Sequence, residues 1–73
     1  MARFDIVASI PGTVTVMHVE DGARVVDQET IMEIECMKTM WPVVSPAAGI
    51  FRSLVVVGEM IAQDQVLGTV DSE

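Results

Sequence analysis

Residues Thr30–Cys36 read TIMEIEC and lead directly into the only lysine of the chain, Lys38. Met32, Ile34 and Cys36 fall on one side of this stretch, and its two glutamates fall on the other. A period of two is typical of a strand that buries one face. The stretch therefore predicts a half-buried strand that ends in a bend at Lys38.

The shape of this strand recurs near the end of the chain, where residues 66–71 read VLGTVD. The two halves of the sequence align if one residue is omitted between the two glycines of the second copy. Internal repetition indicates two similar half-domains, most simply related by a two-fold axis. The matched pairs are Gly12 with Gly49, Gly22 with Gly58, Val25 with Ile61, Ile31 with Leu67, Ile34 with Val70, and Glu35 with Asp71.

Short apolar segments separated by Gly, Pro and Asp turns fill the rest of the chain, and no segment has a helical period. Two copies of four short strands predict an all-β domain over residues 1–73, built as a small sandwich or flattened barrel. In a two-fold arrangement the bend at Lys38 and the chain termini lie at opposite ends. The other predicted strands cover residues 4–8, 13–19, 24–26, 41–44, 50–57 and 60–62.

Size and charge exclude several classes of function. A chain of 73 residues has a thin core and no room for a deep cleft, which argues against an enzyme. Its net charge of −7 disfavours nucleic acid as a partner, because phosphate binding needs a basic surface, and favours a monomer. One cysteine, no bilayer-length apolar run and no signal-peptide pattern indicate a cytoplasmic protein without a membrane segment.

A unique lysine is a unique side-chain amine for covalent attachment. No basic residue close in sequence would activate Lys38 as a catalytic nucleophile, so an acceptor role is expected. The remaining reactive side chains give no catalytic or metal site: Cys36 is expected to be an inert inward-facing thiol, His18 a lone surface residue of a strand, and Trp41 a packing residue beside the bend.

These residues together resemble the biotinyl/lipoyl attachment domain family. The resemblance rests on Met37-Lys38 in a bend, Glu35 three residues before the lysine, Gly22 and Gly49 on either side, and the internal repeat. It implies a flattened barrel of two four-stranded antiparallel sheets with a modified lysine at an exposed hairpin tip. Met before the lysine is similar to the biotin branch, whose usual pattern is Ala-Met-Lys-Met. The lipoyl branch more often has Asp before the lysine.

The resemblance implies a biotin carboxyl carrier without catalytic residues of its own. Lys38 would receive biotin from a biotin protein ligase, with Met37, Glu35 and Thr39 completing the attachment site. The biotin would carry a carboxyl group from a biotin carboxylase to a carboxyltransferase. Cys36 and Thr39 depart from the pattern, standing where Ala and the second Met are usual.

Two alternatives stay open at this point. The first is a lipoyl carrier modified with lipoate on the same Lys38. The second is an unmodified β-sandwich that serves only as an assembly module, although such a module has no need for a single lysine at a bend.

Overall fold

A computed structural model describes residues 2–72, which form eight β-strands in two four-stranded antiparallel sheets. One sheet has the strand order β1-β8-β6-β3 and the other has the order β5-β4-β2-β7. The predicted all-β class and the two four-stranded sheets are confirmed. The strands are β1 (Arg3–Val7), β2 (Gly12–Met17), β3 (Arg24–Val25), β4 (Thr30–Cys36), β5 (Thr39–Val44), β6 (Gly49–Ser53), β7 (Met60–Ile61) and β8 (Val66–Asp71).

The two sheets are related by the quasi-two-fold repeat expected from the sequence. If β1 is exchanged with β5, β2 with β6, β3 with β7 and β4 with β8, the strand order of one sheet becomes that of the other. The backbone hydrogen bonds repeat as well, because Gly22 N–H donates to Phe51 O at 2.7 Å and Gly58 N–H donates to Val14 O at 2.7 Å. The repeat in sequence is therefore a repeat of backbone geometry.

The residue without a counterpart in the second half is Thr15. Val14 pairs with Ile34 and Val16 with Glu33, so β2 has one more residue than β4 at this point. The equivalent pairing of β6 with β8 runs without a register shift. An extra residue in one strand of an antiparallel pair is a β-bulge, and the omission needed to align the two halves marks its place.

Both sheets contribute to one core between them. Its largest fully buried side chain is Phe51 of β6, and the acidic residues of β4 lie outside it. The buried apolar residues are Ile6, Ala8, Val14, Val25, Ile31, Met32, Ile34, Phe51, Val55, Ile61, Leu67 and Val70. No helix within residues 2–72 is long and apolar enough to cross a membrane.

The long strand predicted over residues 50–57 is wrong beyond Ser53. The Ser53 hydroxyl donates to the carbonyl of Val55 at 2.7 Å, and Asp21 Oδ1 accepts the Ser53 N–H at 2.8 Å. These side-chain bonds turn the backbone out of the sheet, a competition that hydroxyl and carboxylate groups often win near strand ends. Apolar composition alone overestimated the strand because the turn depends on Asp21, which is distant in sequence.

Two glycines that the repeat matches leave no room for a side chain. A Cβ on Gly12 would lie 2.3 Å from the carbonyl oxygen of Glu35, and a Cβ on Gly49 would lie 2.1 Å from that of Asp71. Both distances are far inside van der Waals contact, and both obstacles are backbone atoms. The fold therefore requires glycine at these two matched positions.

We expect Gly12→Ala to lower the free energy of unfolding by about 1–3 kcal/mol, since overpacking forces backbone shifts of that cost. Urea unfolding followed by the fluorescence of Trp41 measures it. Ala48→Ser, an exposed change close to Gly49, is the control and should stay within about 0.5 kcal/mol of the parent. Equal stability of the Gly12 variant and the parent would contradict the steric argument.

Candidate functional site

Lys38 lies at the tip of the hairpin that joins β4 to β5. Cys36 pairs with Thr39, so Met37 and Lys38 alone form the turn. Their φ angles are 53° and 64°, and two consecutive positive φ angles in a two-residue hairpin define a type I′ turn. This turn follows the right-handed twist of the flanking strands and projects the two side chains at the end of the sheet.

The turn is made from residues that do not favour it. Type I′ turns usually contain Asn-Gly or Asp-Gly, because a side chain with an ordinary Cβ is unfavourable at positive φ. Left-handed backbone costs roughly 1–2 kcal/mol per residue for L-amino acids other than glycine. Met37 and Lys38 are thus held in a conformation that neither residue type prefers.

Both side chains of the turn are in solvent. Met37 is 92% exposed, and Lys38 and Thr39 are exposed as well. Within residues 2–72 no hydrogen bond or ion pair involves the Lys38 amine; Arg3 pairs with Asp71 there, and His18 pairs with Glu33. The amine is accessible from outside.

The structure separates Glu35 from the lysine. Glu35 is exposed and pairs with Thr13 on one side and with Met40 on the other. Its carboxylate forms no ion pair with Lys38. Of the predicted site residues, Met37, Lys38 and Thr39 lie together at the tip, and Glu35 lies lower on the outer face of the sheet.

Thr15 belongs to the base of the hairpin, beside Met40, and was not singled out from the sequence. The hydroxyl of Thr15 donates to the carbonyl of Glu33 at 3.2 Å and lies 3.7 Å from the sulfur of Met40. The bulge in β2 therefore places a polar side chain against the strand that follows the lysine. In the sequence, this bulge was signalled only by the one residue that must be omitted to align the two halves.

The structure bears out the expectations for Cys36, His18 and Trp41 only in part. Cys36 is a free thiol that is only half-buried, so the expected inward position holds in part. His18 lies one residue after β2 rather than within a strand, and its Nε2 contacts Glu33 Oε2 at 2.5 Å. Trp41 pairs with Ile34 beside the hairpin, with part of its ring area exposed. No cluster of three metal-ligating side chains occurs within residues 2–72.

The chain ends occupy the position that the two-fold repeat assigns to the hairpin. Ser72 N–H donates to Ala2 O at 2.8 Å, and Arg3 Nε donates to Asp71 Oδ1 at 2.8 Å. Val7 and Val44 border one shared groove, so β1 and β5 converge at their last residues. This convergence supports the expected placement of Lys38 and the termini at opposite ends.

Comparison with known proteins gives a family and a shared fold. Residues 5–70 match the family model described as "Biotin-requiring enzyme". Among solved structures, urea carboxylase from Kluyveromyces lactis has a TM-score of 0.88 at 18% identity over 97% of this chain, which spans 6% of that protein. A single-chain, multi-domain long-chain acyl-CoA carboxylase has a TM-score of 0.88 at 21% identity, also over 97% of this chain, which spans 7% of that one.

A third similar structure is the lipoyl domain of the 2-oxoglutarate dehydrogenase complex from Azotobacter vinelandii. It has a TM-score of 0.72 at 27% identity and covers 85% of this chain and 80% of its own. The fold is therefore shared with domains of both carboxylases and a dehydrogenase complex. This chain spans only a small part of the two carboxylases.

The strained turn makes a prediction about stability. Met37→Asn should raise the free energy of unfolding by up to about 1 kcal/mol, because Asn enters the left-handed region more readily than Met. Urea unfolding midpoints measure the gain. Met60→Asn is the matched control: Met60 is 82% exposed but lies in β7, and this variant should gain nothing. A Met37 variant less stable than the parent would contradict the strain argument.

Proposed function

Because the chain belongs to the family of biotin/lipoyl attachment domains, we propose that it is a biotin carrier whose acceptor is Lys38. The observation that carries the proposal is the presentation of the only lysine at the tip of a strained two-residue turn, exposed and without a partner among residues 2–72. A lysine that only stabilised the fold would make a contact. Lys38 instead offers its amine to another protein.

The chemistry of attachment needs little from this chain. In the proposed reaction the Lys38 nitrogen forms an amide bond with the acyl carbon of biotinyl-adenylate, AMP leaves with the electrons of the broken C–O bond, and the amine gives up a proton. No neighbouring side chain of the described residues is placed to take that proton, so the biotin protein ligase must supply the activation. When bound, biotin would supply a ring nitrogen that carries a carboxyl group.

The residues present fit such an arm. Lys38 is exposed and forms no ion pair with another residue of the described part of the chain, and the hairpin places it at the end of the sheet. A tethered group reaches successive sites at a high local concentration set by the length of its linker. We propose a biotin carboxylase and a carboxyltransferase as these sites, with residues 1–73 as one non-catalytic domain. A cytoplasmic location remains a prediction.

Met37 supports biotin over lipoate. An apolar side chain that is 92% exposed and held at positive φ contributes nothing to the core and costs stability. Its presence is explained if a ligase contacts it, and Met before the lysine resembles the biotin branch. Lipoate on Lys38 is the second candidate, favoured by the 27% identity to a lipoyl domain.

The test is the intact mass of the 73-residue protein after incubation with a biotin protein ligase, biotin and ATP. We expect the mass of one added biotin, located on Lys38 by peptide mapping and abolished in Lys38→Arg. A parallel reaction with a lipoate ligase and lipoate should leave the mass unchanged. A lipoyl adduct would move the protein to the second candidate, and no adduct with either ligase would refute the carrier function.

A double variant tests whether the ligase recognises the hairpin turn or accepts any exposed lysine. Lys38→Arg combined with Met60→Lys keeps one lysine per chain but moves it from the hairpin to β7, at a position 82% exposed in the parent. If the ligase recognises the hairpin, this variant should remain unmodified. Modification at position 60 at a comparable rate would show that any exposed lysine suffices.

The residue after the lysine should set the rate of modification. Thr39→Met restores the pattern of the biotin branch at an exposed position, so it should raise kcat/KM for biotinylation by several-fold without changing stability. Initial rates of biotin incorporation at varied carrier concentration measure this effect. Thr69→Met on β8, away from the hairpin, is the control. Equal rates for parent and Thr39 variant would remove Thr39 from the recognised site.

A further inference from the structure

A groove runs between the two loops that the two-fold repeat makes equivalent. One wall consists of residues 17–21, which begin with the last residue of β2, and the other consists of residues 53–57, which begin with the last residue of β6. The groove is open, with a volume of about 550 Å³. It is lined by Met17, Val19, Glu20, Asp21, Ser53, Val55, Val56 and Val57.

The two walls have the same backbone but different chemistry. Ala23 N–H donates to Glu20 O at 3.0 Å, and the matched Glu59 N–H donates to Val56 O at 3.1 Å. His18, Glu20 and Asp21 of the first loop correspond to Leu54, Val56 and Val57 of the second. The first half thus acts as an internal control, and it shows that this loop conformation does not require apolar side chains.

The apolar wall is exposed at a cost. Val56 is 68% exposed and Val57 is 56% exposed, although acidic residues occupy the equivalent positions of the other half. Contiguous exposed apolar side chains on a small domain often mark an interaction site. Val56 and Val57 also do not pack in the core, because the residue of this loop that is buried there is Val55.

We propose that this groove docks a segment of another protein that carries apolar side chains next to Arg or Lys. The apolar part would cover Val56 and Val57, and the basic part would meet the acidic wall. Glu20 is exposed and its carboxylate forms no ion pair within residues 2–72. The side chain of Asp21 is held in position because its Oδ1 accepts the Ser53 N–H at 2.8 Å.

Charge also selects against a second copy of the chain as the occupant. Each copy has a net charge of −7, so pairing two copies brings like charges together, which costs free energy. His18 of the first loop contacts Glu33, and Arg52 Nη1 lies 3.3 Å from where a Cβ on Gly22 would be. Neither forms an ion pair with Glu20 within residues 2–72, which leaves that carboxylate to a cation of the partner.

The two walls of the groove lie at different distances from the lysine. His18 N–H donates to Ile31 O, so the acidic wall lies beside the start of β4, six or seven residues of strand or roughly 20 Å from Lys38. The apolar wall runs into Gly58, whose N–H donates to Val14 O, and Val14 pairs with Ile34, four residues before the lysine. Neither wall contains a residue of the Met37-Lys38 turn, so the proposal does not depend on what Lys38 carries.

The test uses two synthetic peptides and ¹⁵N-labelled 73-residue protein. Ac-Arg-Leu-Val-Leu-Arg-NH₂ is the probe, and the same peptide with Glu in place of both Arg residues is its control. We expect the basic peptide to shift the amide signals of Val19, Glu20, Val56 and Val57 in a saturable way. The acidic peptide should bind at least about ten-fold more weakly, a difference of about 1.4 kcal/mol.

Variants taken from the repeat itself locate the site. Val56→Glu with Val57→Asp copies the residues of the first loop, so the backbone should be preserved, as the amide spectrum will show, and peptide binding should fall about ten-fold or more. Val26→Glu, at a valine that is 61% exposed outside the groove, should bind like the parent. Glu20→Gln should weaken binding of the basic peptide alone.

Three results of the peptide titration would overturn the proposal: no saturable shifts at millimolar peptide, shifts that map away from the groove, and equal binding of the two peptides. A fourth comes from sedimentation. Concentration-dependent sedimentation that is lost in the Val56/Val57 variant would identify a second copy as the occupant and refute the basic partner. None of these results bears on the modification of Lys38, which is read from intact mass.

Discussion

The close approach of Gly12 to the carbonyl of Glu35 links the fold to the site. It brings the start of β2 against the end of β4, three residues before Lys38, in the space that a side chain would fill. The same approach of Gly49 to Asp71 closes the other half of the molecule. One steric constraint, applied twice by the repeat, therefore lets β2 pack against the end of β4 and β6 against the end of β8.

The duplicated backbone makes the differences between the halves informative. In one half, the Met37-Lys38 turn joins β4 to β5. At the matched place in the other half, β8 and β1 lie side by side at the two ends of the chain. Thr15 has no counterpart, and it lies next to Met40 at the base of the hairpin. The groove has an acidic wall from one half and an apolar wall from the other. The two halves contribute equivalent residues to the core, whereas the proposed attachment site and the proposed docking groove lie where the two halves differ.

The hairpin is also where local preference and structure disagree. Met37 and Lys38 adopt positive φ angles that Asn and Gly would adopt more easily. Natural sequences tend to break local rules at functional sites and to compensate elsewhere. Here the hydrogen-bonded pairing of β4 with β5 and the burial of Ile34 in the core together hold the turn in this conformation. The cost of the turn is consistent with selection for the side chains that it displays.

The sequence by itself determined the strand class, the repeat and the unique lysine. The predicted bounds of β4 and β8 agree with the structure because alternation and flanking turn residues are local signals. Of the site, the cluster of Met37, Lys38 and Thr39 followed from their adjacency alone. Only the tertiary structure decided that the strand over residues 50–57 ends at Ser53, because Asp21 binds it from the other half. It also decided that the unmatched residue is Thr15, because the pairing of β2 with β4 places it, and it decided the groove, because the two loops that line it come from different halves of the chain.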